Sequence, residues 1–303
     1  MTRRGWVLFA AMAFVWGIPY LLIKVAVGGL HPATLVFLRT LIGAIILLPV
    51  AASRDELRPL IRHWRPLVAY TLVEIAIPWF LLADAERRLS SSLTGLMIAA
   101  VPLIGAVLAW LTAGDDRPDA RRLIGLMMGF LGVATLVGLN VSAHDLGAVG
   151  EVGVVAICYS IGPMIIARRL RSAPSVGVVA ASLGLTALAY SPIALGQLPA
   201  AFPPIQVALA VAVLGVVCTA LAFLIFFALI AEAGPVRAMV FTYFNPAIAL
   251  VLGVLVLHEP FTIGAGLGLA LILIGSILST RRAPAAIPGP AIALEYREES
   301  AQS

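Results

Sequence analysis

The chain has 303 residues, 61% of them hydrophobic and 12% charged, with a net charge of +5 and a mean hydropathy of +1.06. A soluble domain carries about 25% charged residues, and no soluble core hides this much apolar surface, so composition indicates a polytopic membrane protein. The positive balance is mostly arginine in short loops, where topology explains it, so a nucleic-acid partner is not expected.

The first apolar run lacks a small-residue cleavage site and is followed by many others, so it reads as a retained helix and not a signal peptide. Apolar runs of near membrane length place ten spans at roughly 6–27, 33–52, 66–86, 91–113, 121–139, 149–167, 175–195, 205–231, 237–257 and 262–280. The segment 281–303 is rich in Pro and Ala, ends in Glu295, Glu298 and Glu299, and is expected to be a disordered cytoplasmic tail. Cys158 and Cys218 lie inside apolar runs and offer no disulfide framework or metal motif. No cofactor is expected.

The chain repeats itself. At an offset of 144, Pro102, Ile104, Val107, Leu108 and Leu111 recur as Pro246, Ile248, Val251, Leu252 and Leu255, and Asp115 falls opposite Glu259. One residue out of register, Gly125, Leu126 and Gly132 recur as Gly268, Leu269 and Gly275. Two copies of one unit are expected, over 6–139 and 149–280. Each copy holds five spans, an odd number, so the copies insert with opposite orientation. The expected fold class is all-α integral membrane, with ten transmembrane helices as two inverted five-helix repeats. Such repeats place a ligand site near the midplane, between the halves, and expose it to either side by rocking.

Orientation follows from the arginines. With the N-terminus inside, sixteen of the 20 basic residues fall in cytoplasmic segments, from Arg3 and Arg4 through Arg54, Arg117 and Arg168 to Arg297. The opposite loops hold Arg87 and Arg88, in a stretch from Asp84 that mixes both signs and reads as self-neutralising. Lys24 and Arg39 lie inside spans.

On Trp16-Gly17, Lys24, Pro32 and Arg39, and on the stretch from Pro246 to Glu259 followed by Gly268 and Gly275, the chain resembles the drug/metabolite transporter superfamily in its EamA-type branch. The resemblance covers residues 8–280 or so. It implies ten helices and metabolite transport, commonly export, and identifies no substrate. Repeat two departs from the pattern: Tyr159-Ser160 stands where a Trp-Gly or Trp-Ala pair is expected, which puts a symmetric role for the aromatic in doubt.

Depth selects the charges that need explanation, because an ionised side chain at a helix centre costs about 2.5–3.5 kcal/mol on insertion scales. At about 1.5 Å per residue, Lys24 sits roughly 11 Å from the midpoint of its span, against a hydrocarbon half-thickness of about 15 Å, and can snorkel to the outer surface. Arg39 and Glu74 lie near their span centres. Two readings of Glu74 stand: a substrate counter-charge or proton-carrying carboxylate, and a structural ion pair with Arg39. Trp16, Tyr20 and Lys24 share one face of span one, and Tyr70, Glu74 and Pro78 one face of span three. If these faces meet, they form an aromatic cavity holding an acid and a base, which Trp79 also adjoins; packing is the plainer role for the rings. Tyr243 and Asn245 precede Pro246, which frees a carbonyl one turn back. Glu259 and Asp115 read as solvated helix ends. Gly125/Gly129 and Gly264/Gly268 suit close helix packing, within the fold or across a homodimer.

These residues point to a cytoplasmic-membrane transporter of a small metabolite or drug-like molecule, with the lipid bilayer as its other partner. Export by alternating access is the leading expectation and an uptake permease of the same fold the alternative. A membrane enzyme is disfavoured, because His31, His63, His144 and His258 are dispersed at loops.

Overall fold

The computed structural model describes residues 1–113 and 120–280. The expected tail, Asp115, Arg117, Arg281, Arg282 and Arg297 lie outside the described residues. Every regular element among the described residues is helical. Among the described residues, nine helices are long and apolar enough to cross a bilayer: Arg3–Val27, Pro32–Ser53, Arg58–Ala85, Ser91–Leu108, Ala120–Leu139, Ala143–Arg169, Ser175–Leu195, Ile205–Ala233 and Met239–Val256; a shorter apolar helix, Ile263–Ser279, follows. These are spans one to ten. Span three begins earlier than its apolar run because a 3-10 turn over Arg58–His63 leads into the helix at Trp64.

Prolines interrupt three spans. A proline lacks the N–H that continues a helix and its ring crowds the carbonyl four residues back, yet its fixed φ suits the first turn of a new one. Span one breaks between Val15 and Pro19. Span four breaks between Ile98 and Val101, just before Pro102. Span nine changes from a 3-10 turn over Met239–Tyr243 to an α-helix starting at Asn245, one residue before Pro246. The breaks of spans four and nine fall at the repeated prolines. A second symmetric feature was not visible in the sequence. Spans three and eight each widen to one π-helical segment, Thr71–Ala76 and Val216–Leu221.

Packing pairs the spans in a two-fold scheme. Two lies against seven, five against ten and four against nine; three packs on six as eight packs on one. The five–ten seam is made by glycine. A Cβ at Gly125 would lie 2.6 Å from Ser279 N, and one at Gly275 would lie 2.5 Å from Gly125 O. Likewise, Gly132 faces Gly268, with 2.9 Å from an added Cβ to the carbonyl oxygen. The expected Gly125 and Gly129 both face Gly275, Gly132 faces Gly268, and these glycines close an interface inside the chain.

The ends of the bundle differ in charge. Contacts gather the turns after spans one, three, five, seven and nine at one end: Lys24 reaches Leu89, Arg88 reaches Glu151, Gly29 packs on Val207 and Glu259 reaches Ser91. Thr2 meets Glu232 and Glu56 meets Gly177 at the other, which carries most of the arginines.

Candidate functional site

Glu74 sits on the π-helical segment of span three and points at span six. Its Oε2 is buried and has no hydrogen-bond partner among the described residues. Gly162 makes the room: a Cβ there would overlap Oε2 and lie 2.8 Å from the carboxyl carbon. The polar neighbours of the carboxyl are Tyr70 of the same span and Cys158 and Tyr159 of span six. The site thus lies where the first five spans meet the second five.

Arg39 does not pair with Glu74, which corrects the ion-pair reading. The guanidinium is 7% exposed. Its Nε donates to Thr219 Oγ1 at 2.9 Å, and its Cζ lies 3.7 Å from the centroid of the Trp79 ring. A desolvated cation over an indole is worth about 2 kcal/mol or more, so neutral partners hold the charge. Thr219 is on the π-helical segment of span eight, and its hydroxyl also donates to Leu214 O at 2.8 Å. The Trp79 N–H in turn donates to the Tyr159 hydroxyl oxygen. Tyr159 therefore stands between the two charges, within electrostatic reach of both Glu74 and Arg39.

The expected face of Trp16, Tyr20 and Lys24 does not survive, because the break before Pro19 rotates Trp16 away. Its ring packs on Phe223, Phe226 and Phe241, with centroids 5.6, 5.2 and 5.5 Å away. Gly17 beside it lets span nine approach, since a Cβ there would lie 2.5 Å from Ile248. Tyr20 is buried in the core and lies near Tyr159, Glu86 and Arg39. Lys24 does not snorkel to the surface. Its ammonium donates to the carbonyls of Glu86 and Leu89 at 2.6 and 2.8 Å, closing the C-terminal end of span three. In span three, Pro78 gives way to Trp79 as the ring serving the site: the wider turn advances the register by one residue. Tyr243 closes the 3-10 turn of span nine. Asn245 follows it, with Oδ1 buried and without a hydrogen-bond partner.

Four residues were missed or misread. Tyr159 was treated as a departure from the pattern, although it lies 143 positions after Trp16, close to the repeat offset. Thr219 lies 145 after Glu74, and the same offset could have found it. Glu259 is no solvated helix end. It crosses to span four and accepts hydrogen bonds from Ser91 N at 2.7 Å, Ser92 N at 2.9 Å and the Ser92 hydroxyl. Glu86 was hidden in a stretch read as self-neutralising. Asp84 does bind Arg87 and Arg88 at 3.4 and 3.0 Å, and Arg88 also binds Glu151 at 2.6 Å. The Glu151 bond raises the basicity of the Arg88 guanidinium above its ordinary value. Glu86 itself is wholly buried.

The comparisons with known proteins agree with this architecture. The sequence model of the EamA-like transporter family matches residues 3–138 and 152–281. The chain belongs to the EamA-like transporter family. It is 26% identical to the uncharacterized transporter YvbV of Bacillus subtilis (strain 168), over 99% of this chain and 98% of that protein. It is 24% identical to the uncharacterized inner membrane transporter YedA of Escherichia coli (strain K12), over 80% of this chain and 79% of that one. A solved structure described as "Crystal structure of protein" superposes with a TM-score of 0.66 at 21% identity, covering 90% of this chain and 96% of that one. This EamA-like chain is thus a multi-pass membrane transporter by family, with the fold of that structure.

Proposed function

We propose that this EamA-like protein exports a small polar metabolite across the cytoplasmic membrane by alternating access, rocking two inverted halves (6–139 and 149–280) about the Glu74 site. The observation that carries the reading is the carboxyl of Glu74, buried without a partner among Tyr70, Cys158 and Tyr159 at the junction of the halves. A buried polar group is tolerated where it serves a ligand. A basic substrate group would meet Glu74, aromatic rings would flank it, and Arg39 would face its acidic or dipolar end. Tyr20 and Trp79 complete the wall, while Trp16, Lys24, Tyr243 and Asn245 hold the breaks and ends that let the halves move. The arginine bias supports an orientation with both termini cytoplasmic.

The test is transport by purified protein in liposomes, with a panel of amines, amino acids and organic acids, with and without a pH gradient. Saturable movement of one class that weakens at least tenfold in Glu74→Gln is expected. Full gradient-driven transport by well-folded Glu74→Gln protein would remove Glu74 from the site. For orientation, a cytoplasm-active reporter fused at Arg62 or Arg171 should be active and one at Asp145 silent; the reverse pattern overturns the orientation.

A further inference from the structure

The end of the bundle that holds few arginines contains a second carboxyl with no assigned task. Glu86 is 0% exposed, and neither carboxylate oxygen has a side-chain hydrogen-bond partner among the described residues. Three charges and one phenol face it: Lys24 and Tyr20 from span one, Arg39 from span two and Glu259 from the turn before span ten. Among the described residues, none of these side chains makes a hydrogen bond or an ion pair with it, and only the backbone N–H of Lys24 reaches toward the carboxyl. Lys24 is directed at the carbonyls of Glu86 and Leu89. Arg39 is held by Thr219 and Trp79. Glu259 is occupied by the backbone donors of Ser91 and Ser92, and a second negative charge beside it would be repelled. The hydroxyl of Ser91, also wholly buried, has no partner either. An ionised carboxylate is not stable in such a place, whereas a neutral acid is.

We propose that Glu86 is a proton-binding site of the gate at this end, carrying a proton while the end is closed as it is here and releasing it to water when the end opens. The O–H bond of the carboxyl breaks, the proton goes to water, and the carboxylate left behind takes the ammonium of Lys24 as its counter-ion. Lys24 has three N–H donors and uses two on carbonyls, so the partner is in place before the proton leaves. Span four is tied to the turn before span ten by Glu259, and span three to span one by Lys24. Opening that hydrates Glu86 therefore loosens contacts between the halves and within the first. Glu86 would make opening depend on pH independently of what Glu74 binds. The inference rests on the alternating-access reading for its gate, but its readouts need no transport.

Two measurements on the full-length protein in detergent test it. In infrared spectra over a pH series, protonated-carboxyl absorption should persist at neutral pH, and the component lost in Glu86→Gln should remain in Glu74→Gln. Where Glu86→Gln fails to fold, Glu86→Asp reads the same band: a moved frequency supports the assignment and an unmoved one overturns it. Second, Leu30→Cys places a thiol in the buried cluster beside span three, and maleimide labelling is compared with the parent chain, whose Cys158 and Cys218 are buried. Labelling beyond that due to the thiol's own ionisation, read from a free-thiol control, should rise at least fivefold as pH increases and stay flat in Leu30→Cys with Glu86→Gln. An equal rise in both proteins overturns the proposal, as does loss in Glu74→Gln of the same component that Glu86→Gln removes. Transport indifferent to a pH gradient would count against proton coupling at Glu74 without altering either readout.

Discussion

Spans three and eight occupy matching places in the two halves, and each carries a six-residue π-helical segment. They use it differently. In span three the segment presents Glu74, whose Oε2 has no hydrogen-bond partner among the described residues. In span eight it presents Thr219, fully engaged by Arg39 and by Leu214 O. Behind each stands a glycine of a neighbouring span. Gly162 leaves room for the Glu74 carboxyl, and Gly43 leaves room for the Thr219 methyl, which a Cβ would approach to 2.9 Å. One local geometry therefore serves reactivity in one half and cohesion in the other. The difference lies in a single side chain, because the backbone device is shared.

That contrast predicts a graded set of effects. The largest is expected on the cohesive side. Arg39→Ala removes the stack on Trp79 and leaves a cavity, which should cost about 3 kcal/mol of stability, read as a lower melting temperature in detergent; Arg39→Met should recover most of it by restoring volume. Thr219→Val deletes one hydrogen bond to a charged group and should cost about 1–2 kcal/mol in the same assay. On the reactive side, Glu74→Gln breaks no pair, so it should shift stability by less than about 0.5 kcal/mol while weakening substrate binding at least tenfold. A melting temperature that falls as far in Glu74→Gln as in Arg39→Ala would erase the contrast. The smallest effect sharpens it: Gly162→Ala presses chiefly on the movable carboxyl of Glu74, and less closely on its Cβ, so the fold should hold while substrate affinity falls a few-fold. Gly43→Ala presses on Thr219 and Leu183, so stability should fall and affinity of the surviving protein should not.

The spans, their order and the repeated Pro and Gly positions were legible in the sequence because the bilayer imposes a length and an apolar composition on each crossing. The candidate cluster was legible only in part. Glu74 and Arg39 announced themselves by charge at depth, Tyr70 by sharing the helix face of Glu74 and Trp79 by adjoining Pro78 on it. The pairing of Glu74 with Arg39 was the natural inference from charge, and it failed because Arg39 is matched by a π face and a hydroxyl, partners that carry no charge to count. Trp16 was placed on a continuous helix, and Pro19 shows why periodicity cannot be carried across a break. Glu86 and Glu259 were read as surface because they sit at span ends. Sequence distance hides that the ends of spans three, four and nine converge, so that a carboxyl near the membrane boundary is still enclosed by protein.

Glu259 has a further consequence, which concerns the order in which the chain is made. The backbone donors that it satisfies belong to Ser91 and Ser92, 168 and 167 residues earlier. Span four brings its own cap in Ser90, which accepts from Leu93 N, but its Ser91 and Ser92 donors must be served by water or by a chaperone until the turn between the last two spans has been synthesised. A nascent chain arrested before residue 259 should show rapid amide exchange at Ser91 and Ser92, and release of the arrest should abolish it.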